Sequence, residues 1–303
     1  MYFLRRKEKG MKVICGPASK ELAERVSALT GFSSLPVAIK VFPDGESYIR
    51  LEGSVKGEDV AIVQTTCPPE QDGKLFQLAF MADAAKRGGA EKVTAVVPYL
   101  AYARQDKMFL AGEGVSVETV ARMLKAAGVD ELATVNIHSE TALENFPFPA
   151  KTLSAVPLLA EYFVQKGYEG AFALSPDKGA MYIARQAQQV LGGDAGHLDK
   201  QRDRYTGQTV QTAEGLNVKG QTVIVFDDII STGETIVGAA KILREKGAGH
   251  VFCACVHALL IGDAEKRIHD AGVEEIVGTD SVPGRVSKVS LASLLSQELK
   301  AQN

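Results

Sequence analysis

The stretch Thr222-Val-Ile-Val-Phe-Asp-Asp-Ile-Ile-Ser-Thr-Gly-Glu-Thr235 reads as a strand that runs into a loop and then a helix. Val223 to Phe226 is a short apolar run of the kind expected in a fully buried strand. It ends in two adjacent acids, Asp227 and Asp228. Ser231, Thr232, Gly233, Glu234 and Thr235 then open a helix. In open α/β sheets, ligands bind at the carboxyl ends of the strands. A short Ser/Thr/Gly loop entering a helix offers backbone N–H groups and hydroxyl donors at the positive helix end, which suits a phosphate. Carboxylates beside a phosphate loop make sense once a sugar is added, because they accept hydrogen bonds from its hydroxyls and attract a divalent cation. A Ser231 that merely caps a helix would not require the paired acids.

Similar runs recur along the chain. Met11–Cys15, Val60–Gln64, Lys92–Val97, Glu131–Asn136, Gly170–Leu174, His250–Val256 and Glu275–Gly278 are strand-like. Between such runs lie helical stretches, among them Lys74–Arg87, Val115–Ala127, Ala155–Lys166, Gly179–Leu191, Thr235–Glu245 and Asp263–Ala271. Leu75, Leu78, Ala79 and Ala82 form one apolar helix face. Repeated βα alternation predicts α/β architecture with parallel sheets flanked by helices. Asn145-Phe-Pro-Phe-Pro-Ala-Lys carries two prolines and cannot continue a helix. It predicts a boundary between one domain over 11–148 and another over 149–303. Residues 1–10 are expected to be a disordered N-terminal extension, because the first strand-like run opens at Met11.

The chain has 303 residues, with 34 basic against 37 acidic side chains and a formal charge of −3. That balance gives no support to nucleic-acid binding by bulk electrostatics. No run reaches the roughly 18 apolar residues of a membrane span, so neither nucleic acid nor membrane is an expected partner. The four cysteines form no C-x-x-C pair; Cys253 and Cys255 sit in a run that reads as a buried strand, and the set reads as free thiols of a cytoplasmic protein.

Other candidate residues fall on loops. Arg104, Gln105, Asp106 and Lys107 follow a strand and a Pro-Tyr turn; their cations suit a polyphosphate, and Gln105 suits a base or phosphate edge. His138 is read as ending one strand and Asp177 as ending another. An imidazole and a carboxylate there, completed by phosphate oxygens, make a candidate Mg²⁺ site. Gly192 to Gly215 has no helical period and is read as a structureless functional loop. It carries Lys200 and Arg202, which could close over a triphosphate. Phe42-Pro-Asp-Gly-Glu46 has a strong turn signal.

Together these motifs resemble the ribose-phosphate pyrophosphokinase family (phosphoribosyl pyrophosphate synthetases), especially its archaeal-type branch. The resemblance rests on Phe42–Glu46, Val63–Pro69, Val97–Lys107, Asn136–His138, Ser175–Asp177, Asp199–Arg202 and the Asp227–Thr235 loop. Tyr102-Ala-Arg-Gln-Asp-Lys107 is the most specific of these. The resemblance implies two phosphoribosyltransferase-like domains, an ATP-side domain followed by a ribose-5-phosphate domain. It implies diphosphoryl transfer from Mg-ATP to ribose 5-phosphate. Phe42, Asp44, Gly45, Glu46, Arg104, Gln105 and Asp106 would bind ATP. Asp227, Asp228, Ser231, Thr232, Gly233, Glu234 and Thr235, with Arg202, would bind ribose 5-phosphate. Lys200 and Arg202 would be catalytic, and His138 and Asp177 would hold Mg²⁺. The hairpin at Phe42 would reach the ATP of a neighbouring chain, which implies a homo-oligomer, dimer or hexamer, with ATP sites at subunit interfaces.

Three positions depart from the family pattern. Asn136 stands where an aspartate is common, Ser231 where an acid is common, and Glu234 where a small residue is usual. A carboxylate 5–6 Å from a phosphate charge costs roughly 3 kcal/mol at an effective dielectric near 20. Alternatively, Glu234 turns outward as an early helix residue, where acids are favourable. Two rival readings remain from sequence: a phosphoribosyltransferase that consumes the diphosphate, and a non-catalytic regulatory subunit. The first leaves the Tyr102–Lys107 run unexplained. The second sits poorly with the presence of both Lys200 and His138.

Overall fold

The computed structural model describes residues 10–202, 209–212 and 216–302; for 200–202 and 209–211 only the backbone is described. The expected N-terminal extension therefore lies outside the described residues, apart from Gly10.

Two units emerge from the packing. One runs to Leu153 and takes back the chain from Ser290 onward; the other spans Ser154–Val289. The first unit contains β1 (Met11–Cys15), α1 (Lys20–Thr30), β2 (Ser33–Leu35), β3 (Val37–Val41), β4 (Ser47–Leu51), β5 (Asp59–Val63), α2 (Gln71–Arg87), β6 (Lys92–Val97), α3 (Ser116–Ala126), β7 (Glu131–Val135) and β8 (Ala150–Leu153). The second begins with α4 (Val156–Gln165), β9 (Phe172–Ser175), α5 (Met181–Leu191), β10 (Ala195–His197), β11 (Asp199–Arg202) and β12 (Thr209–Thr212). It continues through β13 (Thr222–Ile230), α6 (Glu234–Glu245), β14 (His250–Ala258), α7 (Ala264–Asp270), β15 (Ile276–Thr279) and β16 (Ser287–Val289). The last helix, α8 (Ala292–Gln302), belongs with the first unit.

Each unit is built on a six-stranded sheet. The orders are β2-β1-β5-β6-β7-β8 and β10-β9-β13-β14-β15-β16. Every pairing in both is parallel. Parallel sheets covered on both faces need near-continuous apolar strands, and β5, β6 and β13 supply them. The α/β expectation from the Val/Ile-rich runs is met. A two-stranded antiparallel pair occupies the same place in each unit, between the second and third strands along the chain. In the first it is β3–β4 and in the second β11–β12.

The helices form because their apolar residues recur at helical spacing. On α6 the buried face is Ile236, Ala239, Ala240 and Leu243; on α3 it is Val117, Val120, Ala121 and Leu124. Burying a leucine of this kind contributes about 1.5–3 kcal/mol. Val223, Val225, Val251 and Cys253 pack with the α6 face. Phe252 packs with Phe163 and Tyr168, at ring-centroid distances of 5.6 and 4.5 Å.

Several expectations change in detail. The strand expected to end at Phe226 continues to Ile230, because its backbone stays paired with β14 through Ile229↔His257 and Ile230↔Ala258. The strand expected to reach Asn136 stops at Val135. Asn136 turns left-handed at φ 36, and its N–H donates to Leu153 O at 2.8 Å. His138 thus lies in the loop beyond the strand. The stretch read as structureless, 192–215, contains β10 and the β11–β12 ribbon. The expected split kept 149–303 together, whereas the residues from Ser290 on pack with the first unit through α1 and α8. There Arg25 Nη1 donates to Ser290 Oγ at 3.3 Å, and Lys151 pairs with Glu298.

Candidate active site

In both sheets the strand order reverses between the first strand and the third, so the crevice at their carboxyl ends is the expected ligand position. In the second unit those ends belong to β9 and β13. Past the fully buried Val223–Phe226, Asp227 is half-buried and Asp228 buried. Asp227 Oδ1 accepts the Asp228 N–H at 2.9 Å, and Asp228 Oδ1 accepts the Ile229 N–H at 2.8 Å. Burial first, then the neighbouring Asp228 and Asp177 carboxylates, push the Asp227 carboxyl well above the usual range. Asp177, beyond β9, accepts the Ala180 N–H on Oδ1 at 3.0 Å, ahead of α5. The structure therefore brings Asp177, Asp227 and Asp228 into one electrostatic neighbourhood.

Ser231 to Thr235 follow directly. Gly233 is left-handed at φ 78, and α6 begins at Glu234 with no side chain capping it. A Cβ on Gly233 would stand 2.9 Å from Ile268 Cδ1 and 3.4 Å from Ala264 Cβ, so only glycine lets α7 approach the loop this closely. The loop backbone is held from behind: Leu259 and Leu260 N–H donate to Ile230 O at 2.9 and 3.1 Å, and Ile261 N–H donates to Ser231 O at 3.0 Å. The first amides of a helix have no intrahelical partner, so this end offers free donors of the kind an anion accepts. Glu234 is exposed, as expected of an early helix residue turned outward.

The described cysteines fit the expectation of free thiols: all four are buried. Burial raises the thiol pKa of Cys253 and Cys255 well above the usual value. Neither is a thiolate nucleophile at neutral pH.

In the first unit the equivalent crevice is stitched with its own chain. Gly16 N–H donates to Val63 O at 3.0 Å, Ala18 N–H to Gln64 Oε1 at 3.0 Å, and Thr65 N–H to Ser19 Oγ at 2.8 Å. A Cβ on Gly16 would lie 2.4 Å from Gln64 Oε1. The candidate residues of this unit lie after β6 and β7, further along the sheet, and on the separate β3–β4 hairpin. Thr66 Oγ1 accepts the Ala101 N–H and donates to Tyr99 O, both at 2.8 Å, which anchors the loop after β6. Tyr102 follows, left-handed at φ 68, with its hydroxyl donating to the Asp72 carboxylate in the first turn of α2. That bond raises the Tyr102 phenol above its usual value. A non-glycine residue in this conformation costs of order 1–3 kcal/mol, and no sequence signal announced it.

Arg104 is exposed and makes no ion pair with described residues. Gln105 N–H donates to Tyr102 O at 3.0 Å. Asp106 is hydrogen-bonded to the turn after His138. Ser139 first, then Thr141 Oγ1 at 3.1 Å, lower its carboxyl below the usual range. The segment 104–106 and the exposed His138 loop are thereby joined. At the hairpin, Phe42 N–H donates to Glu46 O at 2.8 Å, Gly45 sits at φ 94 and Asp44 Oδ1 accepts the Glu46 N–H at 3.1 Å. This is the predicted turn. Phe42, Asp44 and Glu46 are exposed, and Lys40 Nζ lies 4.6 Å from the centre of the Phe42 ring. Gln77 Nε2 donates to Ser47 Oγ at 3.2 Å, tying the hairpin to α2. Among the described residues, no hydrogen bond joins the hairpin tip to Arg104 or His138.

The backbones of Lys200 and Arg202 lie on β11. Their side chains lie outside the described residues. No group of three or more His, Cys, Asp or Glu side chains is arranged to hold a metal among the described residues. No described helix is long and apolar enough to cross a membrane.

Comparison with known proteins gives concordant results. Residues 11–128 match the model of the N-terminal domain of ribose phosphate pyrophosphokinase, and residues 212–298 match the phosphoribosyl synthetase-associated domain. A ribose-phosphate pyrophosphokinase of Methanothermobacter thermautotrophicus is 42% identical over 93% of this chain and 98% of its own length. That of Saccharolobus solfataricus is 38% identical over 90% and 93%. The crystal structure of phosphoribosylpyrophosphate synthetase from Mycobacterium smegmatis superposes with a TM-score of 0.86 at 32% identity, covering 97% of this chain and 99% of that one. On this evidence the chain is an enzyme of the ribose-phosphate pyrophosphokinase family and shares its pair of phosphoribosyltransferase-like folds.

Proposed function

We propose that the protein makes 5-phospho-α-D-ribose 1-diphosphate and AMP from ribose 5-phosphate and Mg-ATP, for nucleotide biosynthesis in the cytoplasm. The 1-hydroxyl oxygen of ribose 5-phosphate attacks the β-phosphorus in line. The bond from that phosphorus to the oxygen it shares with the α-phosphate breaks, AMP departs with the electron pair, and the hydroxyl proton is lost to solvent. No covalent enzyme intermediate is needed, so catalysis is positioning and charge stabilisation. The observation that carries this reading is the pairing of Asp227–Asp228 with an anion-accepting helix end at the switch point of the second sheet.

In this reading Ser231, Thr232, Gly233 and Thr235 hold the 5-phosphate and the aspartates accept the ribose hydroxyls. Phe42, Asp44, Gly45, Glu46, Arg104, Gln105 and Asp106 hold the nucleotide. Lys200 and Arg202 stabilise the charge that develops during transfer. The donor chemistry fits Mg²⁺: carboxylate oxygens suit a hard cation, and a cation would offset the burial and, after it, the neighbouring carboxylates that raise the Asp227 carboxyl. His138 in the first unit and Asp177 in the second are each proposed as a metal ligand, with substrate oxygens completing the shell. When bound it would neutralise phosphate charge. Exposed Ile39, Val41 and Tyr48 on the hairpin and Phe76 and Phe80 on α2 leave apolar surface that supports a homo-oligomer. Sedimentation at micromolar concentration as a monomer would overturn that part.

The central test mixes purified protein with Mg-ATP and ribose 5-phosphate and follows AMP. Lys200→Ala should lower turnover at least about 10²-fold, as for loss of one charge-stabilising donor. Absence of AMP, together with nucleotide formed from phosphoribosyl diphosphate and a nucleobase, would favour a transferase instead.

A further inference from the structure

The loop after β6 contains a conformation that its surroundings must enforce. Tyr102 is left-handed at φ 68, and its residue is 41% exposed, so burial of the ring does not account for the backbone. Two hydrogen bonds lock the residue from either side. Ala101 N–H is held by Thr66 Oγ1, and Tyr102 O accepts the Gln105 N–H, closing a turn. The central residues of that turn are Ala103, which is buried, and Arg104, which is exposed. A third bond comes from the side chain: the phenol donates to Asp72. Asp72 is in the first turn of a 17-residue helix, where the dipole favours its charge and keeps it an acceptor.

We propose that the Tyr102–Asp72 tether is a positioning device that presets Arg104 and Gln105 for the nucleotide. The proposal rests on the reading of those two residues as ATP contacts. With the tether in place, the guanidinium stands at the tip of a closed turn before ligand arrives. Without the tether, a tyrosine relaxes out of the left-handed region, the turn opens, and binding must first reorder it. Asp72 touches no substrate in this scheme and acts only through Tyr102.

The experiment uses the full chain and compares Tyr102→Phe, Asp72→Leu, Asp72→Asn and the Tyr102→Phe/Asp72→Leu double variant. Mg-ATP binding is measured by calorimetry, alongside KM for each substrate, kcat and Tm. Tyr102→Phe and Asp72→Leu should each weaken ATP about 5–10-fold, as for loss of one charge-assisted hydrogen bond partly felt at the site. KM for ribose 5-phosphate and kcat should stay within about twofold. Asp72→Asn should stay close to the parent, because the amide oxygen still accepts the phenol proton. The double variant should be no weaker than either single one.

Unchanged ATP affinity in Tyr102→Phe would overturn the proposal. So would parallel losses for both substrates with a lower Tm, which is the mark of a merely structural bond. If the parent protein binds Mg-ATP but releases no AMP, the proposed reaction falls while the calorimetric comparison still decides the tether. If it binds no Mg-ATP, both fall.

Discussion

Asp227 is an acid whose ionisation the fold opposes. Burial, Asp228 and Asp177 raise its carboxyl well above the value near 3.9 of an unfolded chain. Between those two values the native state holds a proton that the unfolded state has lost. The stability this group contributes is full below the unfolded value and drains away as pH rises through the raised native one. Asp227→Asn removes that penalty. At pH 7 the ligand-free variant should melt at least about 2 °C higher, the shift that about 1 kcal/mol gives in a protein of this size, while AMP production collapses. Melting curves at pH 5 and pH 7 check the sign: the gain should be larger at pH 7. An equal Tm at both would mean the carboxylate is not penalised. The pair of acids was legible in the sequence because two carboxylates beside a Ser/Thr/Gly loop have few structural uses. The left-handed Tyr102 and its partner Asp72 were not, because a residue forced out of its preferred backbone region by tertiary bonds leaves no trace in local composition.

Among elements, the β13–α6 connection depends most on one position. Gly233→Ala meets two obstacles: a left-handed backbone, worth roughly 1–2 kcal/mol against a Cβ, and the Ile268 side chain 2.9 Å away. The variant should lose several degrees of Tm. Its KM for ribose 5-phosphate should rise at least about tenfold while KM for ATP moves little; equal rises in both would indicate general unfolding. The strands and helices with strong apolar periods were legible in the sequence to within a few residues, as with Met11–Cys15 and the buried α2 face. The β11–β12 ribbon was not. Asp199-Lys-Gln-Arg202 and Thr209-Val-Gln-Thr212 have too little apolar alternation to signal a strand, yet their backbones pair antiparallel. The extension of β13 through Asp227 and Asp228 was missed for a related reason. Acids end an apolar run in sequence, but backbone pairing with β14 continues past them.

At the scale of the whole molecule, the two sheets repeat one topology, with an antiparallel pair inserted at the same place in each. The halves have diverged at the crevice. In the first, glutamine, serine and backbone groups occupy one another; in the second, carboxylates are left in mutual repulsion. A strand followed by a polar loop looks alike in both halves as sequence, and only the side-chain pairing separates them. Ending the chain before Ser290 removes α8, whose buried Leu295 and Leu299 close the α1 side of the first unit. Such a truncation should lower Tm by at least about 10 °C or abolish soluble expression, since two buried leucines are worth roughly 3–6 kcal/mol. A truncated protein that melts like the parent would show that helix to be dispensable.

The return of α8 also bears on synthesis. Domains fold as units while the chain emerges, yet the first unit is completed only by α8, which follows the whole second unit in the chain. The second unit, contiguous in the chain, is able to close earlier. A chain that stops before α8 therefore leaves the apolar side of α1 uncovered, the kind of flank that chaperones and proteases recognise.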